Sequence, residues 1–309
     1  MKKRFHKNIV CTYLYTISKY GYPPNAEDTL LYLDEMKELG FSSVELEGIR
    51  EDHLMGVYDI KEEIAAKKKE LQIAVPYFCV VLPGLTSMDD NERDYQLELF
   101  NKGCQVAVEF GSKGVLDNAP LPPYKFPDDI PIVRHYHEDV LNSAYLPLDL
   151  NWDRVWDRMI ETYRTVCDIT KSYDLTYQIH PAVGVLSSTT DAFLYFHDAV
   201  KRDNLRFNLD TANQFVMKDN LTLSLRRLKD HIDYIHISDN RGLKVEHLNI
   251  GEGEIRWDVF FETLDFMGFD GHLGLDIGGD ESKVEDLDKA YIESAEFISQ
   301  NWKKLKDKE

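Results

Sequence analysis

The chain has few cysteines, and they form no metal or disulfide motif. Cys11, Cys79, Cys104 and Cys167 stand far apart in 309 residues, without a Cys-x-x-Cys pair. A zinc knuckle needs paired cysteines, and disulfide frameworks are typical of short, cysteine-dense secreted chains. The sequence therefore predicts four reduced, buried thiols in a cytoplasmic protein.

Positive charge and long apolar runs are also scarce. Lys and Arg number 36 against 55 Asp and Glu, which gives a formal net charge of −19. An acidic surface repels phosphate backbones and anionic lipid, and no stretch approaches the roughly 18 apolar residues of a membrane span. We therefore predict that neither nucleic acid nor a membrane is a partner. Solubility alone is the simpler explanation of the acidic surplus.

The glycine-rich turn of nucleotide-binding folds is missing after the first predicted strand. Instead, short apolar runs alternate with amphipathic helical stretches along the whole chain. Such runs are typical of parallel strands covered on both faces. Eight strands, each followed by a helix, predict one (β/α)8 TIM barrel that spans residues 1–309 as a single domain. The predicted strands are 8–13, 43–47, 73–81, 114–117, 175–180, 205–210, 233–238 and 271–276.

Capping residues mark helix boundaries, and one segment departs from the pattern. Asn25 and Asn151 are suited to helix N-termini, and Gly40 and Gly268 to the left-handed residue after a helix. The segment 118–150 is rich in proline and has no periodicity. Because it follows the fourth predicted strand, we expect a long insertion at the C-terminal face, acting as a lid, binding loop or partner surface. An ordered surface excursion is the alternative.

The last four predicted strands each carry a histidine or an aspartate at or near the C-terminal end. These residues are His180, Asp210, His236 and Asp276. Taken singly, each is explained as a hydrogen-bonded strand-end residue. Together they should meet, because barrel strands converge at this face. Two imidazoles and two carboxylates suit Mn²⁺, Zn²⁺, Fe²⁺ or Co²⁺ better than Ca²⁺. We predict one divalent ion, with Mn²⁺ as first choice.

Four sequence runs carry a resemblance to a known family. They are Leu-Asp-Thr-Ala-Asn at 209–213, Ile-His-Ile-Ser-Asp at 235–239, Asn-Ile-Gly-Glu-Gly-Glu-Ile at 249–255 and Phe-Asp-Gly-His-Leu-Gly-Leu-Asp at 269–276. Over nearly its whole length the chain resembles the xylose isomerase-like superfamily of sugar isomerases, epimerases and apurinic endonucleases. The resemblance implies a metal-dependent sugar enzyme and places the family's four metal ligands on His180, Asp210, His236 and Asp276.

The chain departs from this family at the acid/base positions. The family's epimerases use two glutamates as ligands and as acid and base, and these positions hold His180 and Asp276 here, while Asn213 replaces a frequent histidine. The two-glutamate proton shuttle therefore does not follow. We predict enediolate chemistry next to a sugar carbonyl, with His180, Asp276 and His137 as catalytic candidates and Glu45 as a further base candidate. The substrate-binding candidates are Arg241, His135, Glu47 and Glu254.

The sequence leaves two enzyme activities open as the outcome of this chemistry. The lost glutamate pair and the long segment 118–150 favour β-elimination from 3-oxo-glycosides, as in the catalytic subunits of bacterial C-glycoside deglycosidases, which the barrel resembles. The alternative is a ketose isomerase or epimerase, and a non-catalytic barrel scaffold is a further hypothesis. The net charge argues against an apurinic endonuclease. The predicted partners are a sugar or glycoside and other subunits of an oligomer, with a small second subunit as one option.

Overall fold

Short parallel strands alternate with helices in the computed structural model, which describes residues 4–127, 130 and 136–303. The parallel pairing follows from the apolar composition of the strands, whose two faces are both covered. The strands are β1 (Ile9–Cys11), β2 (Leu46–Ile49), β3 (Tyr77–Val81), β4 (Gly114–Asn118), β5 (Thr176–His180), β6 (Leu205–Phe207), β7 (Leu209–Asp210), β8 (Tyr234–Ile237) and β9 (His272–Leu275).

The strands close into one barrel. Hydrogen bonding orders them as β2-β3-β4-β5-β6 and as β1-β9-β8-β7. The strands β6 and β7 are two halves of one predicted strand, interrupted at Asn208, whose backbone N–H still bonds the carbonyl of Ile179 at 2.9 Å. At the other seam Cys11 forms a parallel bridge with Val44, just before β2. The predicted (β/α)8 barrel is confirmed.

Helices follow the strands, and their ends test the predicted caps. The Asn151 side chain accepts a hydrogen bond from the backbone N–H of Arg154 at 3.0 Å, and Gly268 ends its helix at φ 65°. Asn25 instead caps a 3₁₀ turn that precedes the predicted helix. The helices are α1 (Leu14–Tyr20), α2 (Thr29–Glu38), α3 (Arg50–Asp59), α4 (Lys61–Leu71), α5 (Asp90–Phe110), α6 (Glu138–Ser143), α7 (Trp152–Ser172), α8 (Thr190–Val200), α9 (Thr211–Val216), α10 (Leu221–Arg227), α11 (Trp257–Met267) and α12 (Leu287–Asn301).

Aromatic side chains fill the barrel below the C-terminal face. The rings of Tyr77 and Tyr234 stack with centroids 4.3 Å apart, and His272 meets Tyr77 edge-on. All three side chains are buried, so the barrel interior is a packed floor rather than a pore. The four cysteines are buried and free, as predicted. No helix in the described part of the chain has the length and apolarity needed to cross a membrane.

The segment 118–150 holds the short helix α6 and an antiparallel bridge between Lys125 and Tyr145. The Glu138 carboxylate accepts a hydrogen bond from the backbone N–H of Val245 at 2.9 Å, and Leu141 lies against Gly184. These contacts join α6 to the loops after β5 and β8. The role of the segment as a functional insertion stays a prediction.

The stability of the barrel should depend on a neutral histidine, His53. Its Nδ1 accepts a hydrogen bond from the backbone N–H of Ile49 at 3.0 Å. Protonation of Nδ1 would place its N–H against the N–H of Ile49 and break this hydrogen bond. Burial lowers the pKa of His53 from 6.5 to about 4. Its contribution to stability is therefore present above pH 6.5 and is lost as the pH falls towards 4.

Replacing His53 by glutamine is expected to flatten the pH dependence of unfolding. From pH 7 to pH 5 the wild-type protein should lose about 2 kcal/mol more of its unfolding free energy than His53→Gln. Urea denaturation of both proteins at the two pH values measures this difference. Parallel losses in the two proteins would show that folding does not lower the pKa of His53.

Candidate metal centre

Four predicted side chains meet at the C-terminal mouth of the barrel. The register aligns Asp210 with His236, while His180 ends β5 and Asp276 directly follows β9. One ligand atom from each of the four residues lies within 4.8 Å of the other three. Ligands bound about 2.1 Å from one ion lie at most about 4.2 Å apart. Small side-chain movements would therefore bring all four atoms onto one cation.

His180 is oriented by Asn208, the residue that interrupts β6 and β7. The Asn208 amide donates to the carbonyl of Tyr234 at 3.2 Å, which turns its oxygen towards His180. That oxygen lies 2.8 Å from His180 Nδ1, which therefore donates to it. This hydrogen bond leaves the Nε2 atom of His180 available to bind a cation. Burial, followed by the neighbouring His236, lowers the pKa of His180, so its imidazole is neutral, as metal binding requires.

His236 is held in the opposite orientation by Glu45. The Glu45 carboxylate accepts from His236 Nε2 at 3.1 Å, and His236 Nδ1 lies 3.9 Å from Asp276 Oδ2. Burial disfavours the imidazolium, but Glu45 and Asp276 outweigh it and raise the pKa of His236 to about 9. The site thus presents a negative potential that attracts a positive charge. Glu45, considered above as a base, acts here on His236.

The two aspartates are fixed through one carboxylate oxygen each. Asp210 Oδ1 accepts from the backbone N–H of Asn213 at 2.6 Å, as the N-cap of α9. Asp276 Oδ1 accepts from the Thr12 hydroxyl at 3.0 Å. Asp210 is completely buried, and its Oδ2 has no hydrogen-bond partner among the described residues. Because an unpaired buried carboxylate oxygen is costly, this donor set fits a bound cation.

The remaining predicted site residues fall in different places. Glu47 lines the cavity that also contacts His180, His236 and Asp276. Arg241 is half-exposed and pairs with Glu246 at 2.8 Å, and its substrate role stays a prediction. Glu254 is exposed.

The structure describes one of the two predicted histidines of the segment 118–150, His137. His137 is exposed at the N-terminus of α6, and it is not among the residues that line the cavity. Its catalytic role stays a prediction. His135 lies outside the described residues, so its predicted substrate role is left as it was.

The sequence analysis missed His247, which follows β8 in a loop. It is buried, and its Nδ1 lies 3.0 Å from the Glu281 carboxylate. Burial opposes its protonation, but Glu281 and the aspartates Asp210 and Asp276 raise its pKa. The one signal in the sequence was the position of His247, two residues before the run at 249–255 that carries the family resemblance.

Comparison with known proteins identifies the family. Residues 33–301 match the sequence model described as a xylose isomerase-like TIM barrel. The chain belongs to this family. It is 26% identical over 163 residues to the uncharacterised protein MJ1311 of Methanocaldococcus jannaschii. That match covers 50% of the chain and 56% of the relative, so it spans only about half of that protein.

Solved structures with a similar barrel fold carry the names of sugar epimerases. The 3-keto-D-glucoside 4-epimerase of E. coli has a TM-score of 0.71 and 18% identity, with 96% of this chain and 100% of that chain covered. An L-ribulose 3-epimerase has a TM-score of 0.73 and 17% identity, with 98% and 97% covered. The D-psicose 3-epimerase of Clostridium cellulolyticum H10 has a TM-score of 0.68 and 15% identity, with 96% and 99% covered. These likenesses show the shared fold.

Proposed function

We propose that the protein is a divalent-metal-dependent enzyme that removes a proton next to the carbonyl of a sugar, with epimerisation or isomerisation as the outcome. The observation that carries the proposal is the convergence of His180, Asp210, His236 and Asp276 in a buried, negative site. The names of the similar structures support a keto sugar as the substrate class.

Each residue of the site has a definable task in this proposal. His180, Asp210, His236 and Asp276 would hold the ion, while Asn208 and Glu45 orient the two imidazoles. The bound ion would polarise the sugar carbonyl and lower the cost of an enediolate. Glu47 lies in the cavity wall outside the ligand set, where its carboxylate can accept the proton or bind a hydroxyl.

The identity of the metal and the β-elimination outcome are more specific proposals than metal-dependent proton removal. The two-imidazole, two-carboxylate set is consistent with Mn²⁺, Zn²⁺, Co²⁺ or Fe²⁺, and Mn²⁺ stays our first choice. The predicted lean to a lyase on 3-oxo-glycosides stays a prediction, because the similar structures named above carry the names of epimerases. Its remaining support is that His180 and Asp276 replace the family's glutamate pair. The expected oligomer and small second subunit also stay predictions.

Proton exchange in deuterated buffer tests this proposal. With Mn²⁺ bound, the protein is expected to introduce deuterium next to the carbonyl of a free ketose or a 3-oxo-glucoside, and chelation should abolish the exchange. Mass spectrometry and NMR of the recovered sugar measure the label. Release of the aglycone from the 3-oxo-glucoside would identify the lyase. No exchange and no release with either substrate class, in protein shown to hold the metal, would refute the proposal.

A further inference from the structure

His247 is a buried histidine whose second nitrogen faces the proposed metal ligands. It is 2% exposed, and its Nε2 lies 3.9 Å from Asp210 Oδ2 and 3.8 Å from Asp276 Oδ2. This nitrogen has no hydrogen-bond partner among the described residues. A buried imidazole nitrogen is normally paired. Its position beside the two carboxylates therefore needs an explanation.

The backbone on both sides of His247 is fixed. Its N–H donates to the Ser282 hydroxyl at 2.7 Å, and its carbonyl accepts from the N–H of Gly278 at 3.0 Å. The next residue, Leu248, exchanges two 2.9 Å backbone hydrogen bonds with Asp239. The loop after β8 is thus tied both to its own strand and to the loop after β9. These hydrogen bonds fix the position of the imidazole at the mouth of the barrel.

The surroundings of His247 repeat those of His236. In both residues one ring nitrogen bonds a buried carboxylate, Glu281 for His247 and Glu45 for His236. In both, the other nitrogen points towards Asp276 without a partner of its own. A carboxylate on the far nitrogen is the usual arrangement around a metal-binding histidine, because it fixes the ring and the tautomer.

We propose that His247, oriented by Glu281, is a fifth protein ligand of the cation. The inference rests on the proposed metal site. Its two distances to the aspartate oxygens fall within the roughly 3 to 4.2 Å that separate ligands of one octahedral ion. The donor set becomes three imidazoles and two carboxylates, which leaves one position of such an ion for a sugar oxygen. Three nitrogen donors also shift the preference from Mn²⁺ towards Co²⁺ and Zn²⁺.

Metal titrations of the apoprotein test this ligand role. We expect His247→Gln to bind Mn²⁺ at least about 10-fold more weakly than wild type, measured by the EPR signal of the free ion. Pulsed EPR of the bound ion should detect three coordinated nitrogens in wild type and two in the variant. The matched control is His272→Gln, a buried histidine on the barrel floor, which should retain wild-type affinity and three nitrogens.

A second variant separates the ligand role from damage to the loop. Glu281→Gln preserves the shape of the side chain and should weaken Mn²⁺ binding by about 10-fold while three nitrogens stay coordinated. Thermal unfolding of the apoproteins checks that the variants fold. Unchanged affinity in folded His247→Gln, with two coordinated nitrogens in both wild type and variant, would overturn the fifth-ligand assignment alone. Failure of wild type to bind any divalent ion would overturn the proposed function as well.

Discussion

Replacing Asp210 by asparagine is expected to abolish metal binding while the fold is retained. The amide oxygen of asparagine can still accept the 2.6 Å hydrogen bond from Asn213, so α9 keeps its cap. The buried, unpartnered Oδ2 loses its charge or is replaced by an amide that cannot bind a cation. We expect Mn²⁺ affinity to fall by more than about 100-fold, beyond the effect of residues that only orient ligands. Calorimetric titration of the apoprotein measures the loss.

The same substitution should leave the metal-free protein folded, because the amide keeps the cap of α9 and His236 keeps its contacts with Glu45 and Asp276. Proton exchange on the sugar should fall at least about 1000-fold, since the ion supplies several kcal/mol of stabilisation. Asp233→Asn, at the opposite end of the barrel, is the matched control and should bind metal normally. Wild-type Mn²⁺ affinity in Asp210→Asn would exclude this site.

Asp239→Asn is expected to be among the most destabilising single substitutions in the chain. The carboxylate is completely buried and accepts four hydrogen bonds. Their donors are the backbone N–H groups of Asn240, Gly251 and Ile255 and the indole of Trp257, at 2.8–3.2 Å. An asparagine amide would turn an N–H donor towards two of these donors. We expect a loss of about 3 kcal/mol or more in the unfolding free energy.

Urea denaturation of Asp239→Asn tests this expectation directly. The matched control is Asp258→Asn, an exposed aspartate that pairs with Arg256 on the surface. Exposed ion pairs contribute little, so the control should unfold with the wild-type midpoint. Because Asp239 ties down the loop that carries His247, its variant should also bind metal more weakly. A wild-type midpoint in Asp239→Asn would show that the loop repacks around an amide.

The barrel can be predicted from the sequence because each strand and helix is recognisable from its own residues. Apolar strands such as Tyr77–Val81 are recognisable without their neighbours, and parallel strands of one barrel end at the same face. From this geometric rule we predicted that His180 and Asp210 lie close together, although their strands are separate in the sequence. The structure places them as expected. Their roles as ligands stay predictions until metal is measured.

The residues that orient the site were not predictable from the sequence. Asn208 interrupts a strand that reads as continuous, and Glu45 lies before β2, far along the chain from His236. His247 and Glu281 meet only because two separate loops pack against each other. Such contacts depend on tertiary packing, which no periodicity encodes. The sequence likewise did not identify Glu246 as the partner of Arg241.

The cavity beside the four proposed metal ligands is small, about 50 Å³. Sites for small molecules usually measure about 300 to 1,000 Å³, so a hexose cannot occupy this one as it stands. Leu14 and Ile17 of α1, together with Tyr22, form part of its wall. We expect part of the cavity lining to move outward when a sugar binds. If this movement limits turnover, raising solvent viscosity should slow it even when the chemical step is fast.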